Sequence, residues 1–140
     1  MFGVERVKLW LRNKVRCQEG NNIIILGRTR IRACNISLKG HGCSLTLNSG
    51  VNLRGVKIEI DGKDCHVFIG ANSVFGENTY LSCRERNVNL AIGNDCMFSR
   101  NIKIMTSDGH DIIKDGVRIN HAKSITIGDR VWLGKVRTSP

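Results

Sequence analysis

The sequence predicts an all-β chain wound as a parallel solenoid, and three observations predict it. First, apolar residues return at a long, nearly fixed interval. Ile25, Leu47, Ile69 and Ile92 stand 22, 22 and 23 residues apart. Ile23, Leu45, Val67 and Leu90 stand two before them, and Ile31, Leu53, Phe75 and Phe98 six after. Second, aliphatic residues recur every six within that interval, as in Ile69, Phe75, Leu81 and Ile92, Phe98, Ile104. Third, the apolar residues are mostly Ile, Val and Leu, glycine is common (15), and the single proline is Pro140. That composition suits strands. A β-sandwich would show hairpin signals without a long register, and helical repeats would show a period of 3.6. Agreement across several columns is the signature of a repeat architecture.

A coil built from hexads is triangular. Three hexads with a few further residues at one corner make the 22-residue unit. Each side is a short strand stacked in parallel on the next coil, about 4.8 Å away. One aliphatic side chain per hexad points into the prism. Glycine often follows it, as in Ile69-Gly70, Phe75-Gly76, Ile92-Gly93, Ile127-Gly128 and Leu133-Gly134. The expectation is that these glycines permit the corner backbone.

Residues 1–16 differ from the rest. Val4, Val7, Leu11 and Val15 follow helical spacing, and Arg6, Lys8, Arg12, Lys14 and Arg16 crowd the remaining surface. This predicts a short amphipathic helix within an N-terminal segment 1–20. It either caps the first coil or lies on an anionic membrane. The solenoid is expected over 21–134. Within it Cys43 and Cys65, and Arg32 and Arg54, are 22 apart and should stack. The step of 23 before Ile92 places one extra residue near Arg84-Glu85-Arg86-Asn87, as a bulging corner.

The rhythm breaks once. Ile127 repeats the pattern with Ile125, Val131 and Leu133, but the step from Ile92 is 35. A polar excursion over about 105–122 carries Asp108, His110, Asp111, Arg118, Asn120 and His121. A loop projecting from a rigid scaffold is where function is placed. Arg118 and Asn120 are expected to tie it back to the coil.

The formal net charge is +10, which fits either a solvated basic surface or an anionic partner. No RNA- or DNA-binding motif accompanies the charge, and no nucleic acid is expected. The six cysteines form no CxxC and no zinc-like spacing with histidine, so no metal is expected. They read as buried thiols of a reducing compartment, the cytoplasm. No signal peptide and no membrane-length apolar run is present.

The hexads IGANSV, FGENTY, IGNDCM and IGDRVW resemble those of the hexapeptide-repeat acyltransferases, whose fold is a left-handed parallel β-helix. At TSDGHDI, GVRIN and IGDRVWLG the chain is similar to the O-acetyltransferases of bacterial surface-polysaccharide synthesis. The resemblance implies an acetyl-CoA-dependent transfer to a saccharide hydroxyl, at sites between the subunits of a homotrimer. It implies His110 as general base, with Asp108 or Asp111 orienting the imidazole. It places Trp132 and Gly134 where the pantetheine groove for acetyl-CoA begins, and Lys135 is a candidate to meet the phosphates of CoA by its charge. Arg118, Asn120 and Asn101 become candidates for acceptor binding. The chemistry suits these residues, because a positioned histidine activates a poorly nucleophilic hydroxyl by roughly 10²–10⁴-fold.

The sequence departs from that family at its end. Little more than one hexad follows Ile127, and residues 135–140 form a short tail. On this reading the chain is C-terminally truncated and CoA affinity is expected to be weak. The alternative function is a catalytically impaired or non-catalytic β-helix scaffold.

Overall fold

Three parallel sheets of five strands each form the sides of a prism, a left-handed parallel β-helix with one short helix at its start. The computed structural model of the chain describes residues 3–107 and 112–134. The first side stacks Lys14–Cys17, Asn35–His41, Lys57–Lys63, Tyr80–Arg86 and Lys103–Met105. The second stacks Asn22–Ile25, Ser44–Leu47, His66–Ile69, Asn89–Ile92 and Ile125–Ile127. The third stacks Arg30–Arg32, Asn52–Arg54, Val74–Phe75, Met97–Phe98 and Trp132–Leu133.

Period-two alternation sends every second side chain inward, and the register turns those side chains into columns. Ile36, Ile58 and Leu81 stack on the first side, Leu45, Val67 and Leu90 on the second, and Leu53, Phe75 and Phe98 on the third. All are buried, and the rings of Phe75 and Phe98 lie 4.5 Å apart. Arg32 pairs with Arg54 on the outer face of the third side. All six cysteines are free thiols.

Three expectations need correction. The glycines that follow the aliphatic knobs do not supply the left-handed backbone. That conformation falls two residues later, at Asn72, Asn78, Asp95, Asn101 and Arg130 (φ 56–62°). Asparagine and aspartate tolerate it better than other side chains. Gly70, Gly76 and Gly93 are instead required by close stacking, because a Cβ there would press on the backbone of the next coil.

The extra residue of the 23-residue step also lies elsewhere. Leu53 pairs with Phe75, 22 apart, but Ile58 pairs with Leu81, 23 apart. The insertion therefore falls in the corner 76–79. Arg84, Glu85 and Arg86 keep register with Asp61, Gly62 and Lys63. A step length fixes how many residues are added between two columns and leaves the corner unassigned.

The helix α1 spans Gly3–Arg12, and Lys14–Cys17 is already a strand of the first side. The β-helix thus begins before residue 21. Val15 continued the helical spacing on paper, yet Val15 and Cys17 alternate inward as a strand does. The helix attaches to the coil by a face other than its apolar one. Leu9 joins the core, and the buried Glu5 accepts hydrogen bonds from the Thr29 N–H (3.3 Å) and hydroxyl (3.4 Å). Val4, Val7 and Leu11 face away from the coil and are exposed. Asn13 fixes the junction. Its amide donates to the Leu9 and Ile31 carbonyls, and its oxygen accepts the Cys34 N–H, at 2.9–3.0 Å.

Candidate functional site

The long interruption leaves the first side after Met105 and returns at the second-side strand Ile125–Ile127. Leu90 pairs with Ile125, 35 apart, where Val67 pairs with Leu90, 23 apart. The excursion therefore adds 35 − 23 = 12 residues to the coil. Its neck is closed at Thr106. That side chain is buried and its hydroxyl accepts the Arg84 N–H (3.1 Å). Its carbonyl accepts the Lys123 N–H (3.0 Å), so the outgoing and returning chains meet there.

The distal part folds on itself. Ile113–Lys114 pairs antiparallel with Val117–Arg118 across a turn at Asp115 (φ 52°) and Gly116 (φ 76°). Positive φ at both central residues is the hairpin turn that matches strand twist, and Asp-Gly is a favoured pair for it. The Ile112 N–H donates to Asn120 Oδ1 (2.7 Å), and the Ile119 N–H to the Ile112 carbonyl (2.9 Å). The apolar side chains of Ile112, Ile113, Val117 and Ile119 remain exposed.

One carboxylate fastens this excursion to the prism. Arg118 Nη1 and Nη2 donate to Glu85 Oε1 and Oε2, each at 2.7 Å. The Ser107 hydroxyl donates to Glu85 Oε2 at 2.8 Å. Both charged side chains are 23% exposed. The bonds from Arg118, with others from the Ala122 N–H and the Ser107 hydroxyl, outweigh burial and hold the Glu85 carboxyl down at about 2. A bidentate arginine–carboxylate pair is strong and geometrically specific. Glu85 thus grips the outgoing chain through Ser107 and the returning chain through Arg118 and Ala122.

Glu85 itself sits on a backbone that favours glycine, with φ 90°. Its register partners in the two coils below are Gly62 (φ 142°) and Gly40 (φ 96°). A Cβ on Gly40 would collide with the Gly62 carbonyl, and one on Gly62 with the Glu85 carbonyl. In the next coil the Ser107 hydroxyl lies against the Glu85 carboxylate, where the excursion begins.

The candidate residues fall in distinct places. Asp108, His110, Asp111 and Lys135 lie outside the described residues. Ser107 and Ile112, which flank the first three, are held by the bonds above. Arg118 and Asn120 stand on the returning arm, where Arg118 also donates to the Asn120 carbonyl (3.2 Å). Asn101 belongs to the series of left-handed corner residues, and its N–H donates to the Glu77 carbonyl (3.0 Å). It lies at the edge between third and first sides, one prism edge away from the excursion. Trp132 is 73% exposed on the outer face of the third side, in register with the exposed Met97. Gly134 ends the described chain beside it.

Sequence reasoning missed Glu85, Ser107 and Thr106. A signal for Glu85 was present. Gly40 and Gly62 are 22 apart, and 23 further on the column reads Glu, immediately below the excursion. The hairpin also had one, in Asp115-Gly116 between two apolar pairs.

No protein-family model matches the chain. It is 34% identical over 118 residues, 82% of its length, to a polysialic acid O-acetyltransferase of Neisseria meningitidis. It is 39% identical over 75 residues to a polysialic acid O-acetyltransferase of Escherichia coli O1:K1 / APEC. The chain spans 54% of the length of the first relative and 24% of the second. The crystal structure of the polySia-specific acetyltransferase NeuO superimposes with a TM-score of 0.66, at 24% identity, over 86% of this chain and 66% of that one.

Proposed function

We infer that this chain forms the β-helix and base-bearing loop of a hexapeptide-repeat O-acetyltransferase that acts on hydroxyls of a bacterial surface polysaccharide. The match over 118 residues to a polysialic acid O-acetyltransferase carries this reading. The anchored excursion supports it, since a loop bearing a base must be held still. Positioning of reacting groups supplies much of an enzyme's rate.

In this proposal His110 takes the proton of the acceptor hydroxyl as its oxygen attacks the thioester carbonyl of acetyl-CoA. Asp108 or Asp111 holds the imidazole in the tautomer that leaves one nitrogen free to accept. Glu85 and Arg118 set the loop that carries them. Acetyl-CoA is the co-substrate. Trp132 beside Met97 offers an exposed apolar ledge suited to a pantetheine arm, continued by Gly134 and Lys135. The acceptor is a saccharide, with Asn120 at the base of the loop within the region it would approach. The exposed apolar hairpin residues support burial against a neighbouring subunit, consistent with a homotrimer whose sites lie between subunits. The use of acetyl-CoA implies a cytoplasmic enzyme. No helix among the described residues is long and apolar enough to cross a membrane.

The test is chromatographic release of CoA from acetyl-CoA in the presence of polysialic acid. The wild-type chain is expected to turn over. His110→Ala is expected to lose about 10²-fold or more with an unchanged circular-dichroism spectrum. Full activity in that variant would remove the base assignment. Absence of turnover in the wild type would leave the scaffold reading in its place.

A further inference from the structure

The attachment of α1 leaves its apolar side outward. Glu5 and Leu9 face the first coil, while Val4, Val7 and Leu11 are exposed, Leu11 to 80%. At 3.6 residues per turn the three exposed residues fall within about 60° of one another and about 145° from the buried pair. Trp10, also exposed, widens this stripe on one edge. On the other edge stand Lys8 and Arg12, and Arg6 lies beyond Trp10.

The basic border continues onto the β-helix. Lys8 and Arg12 share one shallow groove with Arg28, Arg30 and Arg32 of the first coil. Among the described residues, Arg12, Arg28, Arg30 and Arg32 have no ion-pair partner. The one acid of the groove, Glu5, is engaged by Lys8 at 3.6 Å and by Thr29. An apolar stripe with a border of uncompensated cations thus occupies one end of the prism.

We propose that α1 docks the protein on an anionic lipid bilayer, with its apolar stripe in the headgroup region and the surrounding cations at lipid phosphates. Both features are needed for that partner, because interfacial helices bind through buried apolar area together with electrostatic attraction. Basic residues near an anionic leaflet add to binding within about one Debye length. A soluble polyanion would use the arginines and leave the stripe in water. A second copy of this chain, with formal net charge +10, would bring like-charged borders together. The bilayer satisfies the stripe and the border at once, and it holds the prism by one end with the excursion free to reach a glycan.

The test is co-sedimentation of the full chain with vesicles of phosphatidylcholine alone or mixed with phosphatidylglycerol. Binding is expected only to the mixed vesicles, weakening as salt is raised. The double variant Val7→Glu/Leu11→Glu alters exposed positions and should keep its circular-dichroism spectrum. It should bind about tenfold more weakly or less. In a Trp132→Phe background, Trp10 emission should shift to the blue when mixed vesicles are added. Failure of the wild type to bind mixed vesicles overturns the proposal. So does unchanged binding by the double variant together with loss in Arg28→Glu/Arg30→Glu, which would mean charge alone. If the double variant instead abolishes self-association in sedimentation velocity while vesicles are ignored, the stripe is a subunit contact and the proposal falls.

Discussion

Glu85 performs two tasks that conflict. Its carboxylate grips Arg118 and Ser107, while its backbone holds φ 90°, a conformation costly for a residue with a Cβ. Strain of this kind is of order 1–3 kcal/mol and persists where surroundings over-determine it. Two substitutions separate the tasks. Glu85→Ala removes the carboxylate and keeps the strain, whereas Glu85→Gly removes both. Hydrogen exchange should show residues 112–122 losing protection in each variant alike. Thermal or denaturant unfolding should find the glycine variant more stable than the alanine variant by about 1 kcal/mol. Equal stability would mean that the backbone at 85 is relaxed, and an unchanged excursion would mean that the carboxylate does not anchor it.

The excursion behaves as one element hung on that carboxylate, so its order should follow the titration of Glu85. The folded value, about 2, lies below the ordinary 4.5. A lowered carboxyl contributes stability that is fully present above its unfolded value and is lost as pH falls through the folded one. Protection of the Ala122 and Lys123 amides, corrected for intrinsic exchange, should be level above about pH 5 and fall steadily toward pH 2. A flat profile across that window would disprove the linkage. The elements also show where sequence reading stops. Strand columns were legible because burial imposes period two and period 22 together. The length of α1 was not, since Val15 satisfies a helical and a strand period equally. Nor was its buried face, because Glu5 is held by hydrogen bonds to Thr29 and an apolar pattern does not register such anchors. The excursion was visible as a break in the repeat, but its attachment depends on Glu85, 33 residues before Arg118. A contact of that separation leaves no local pattern.

At the scale of the whole molecule the β-helix is a continuous column with no edge between its middle coils, and its thiols report on that. Cys34, Cys43, Cys65, Cys83 and Cys96 are buried, and Cys17 is partly exposed. Burial, then the neighbouring Cys65, pushes the Cys83 thiol up to about 12. Thiolate is the reactive form, so an aromatic disulfide reagent at pH near 8 should titrate no more than Cys17 in the native protein. The other five should appear together on unfolding. Stepwise appearance would show coils opening one at a time, as a chain of nearest-neighbour repeats permits. The closed neck at Thr106 and Lys123 has an engineering consequence. Both ends of the excursion sit one hydrogen bond apart, which makes it a cassette. Exchanging residues 107–122 for a plain corner, with Glu85 returned to glycine, should leave a bare rod on which loops of other chemistry can be grafted.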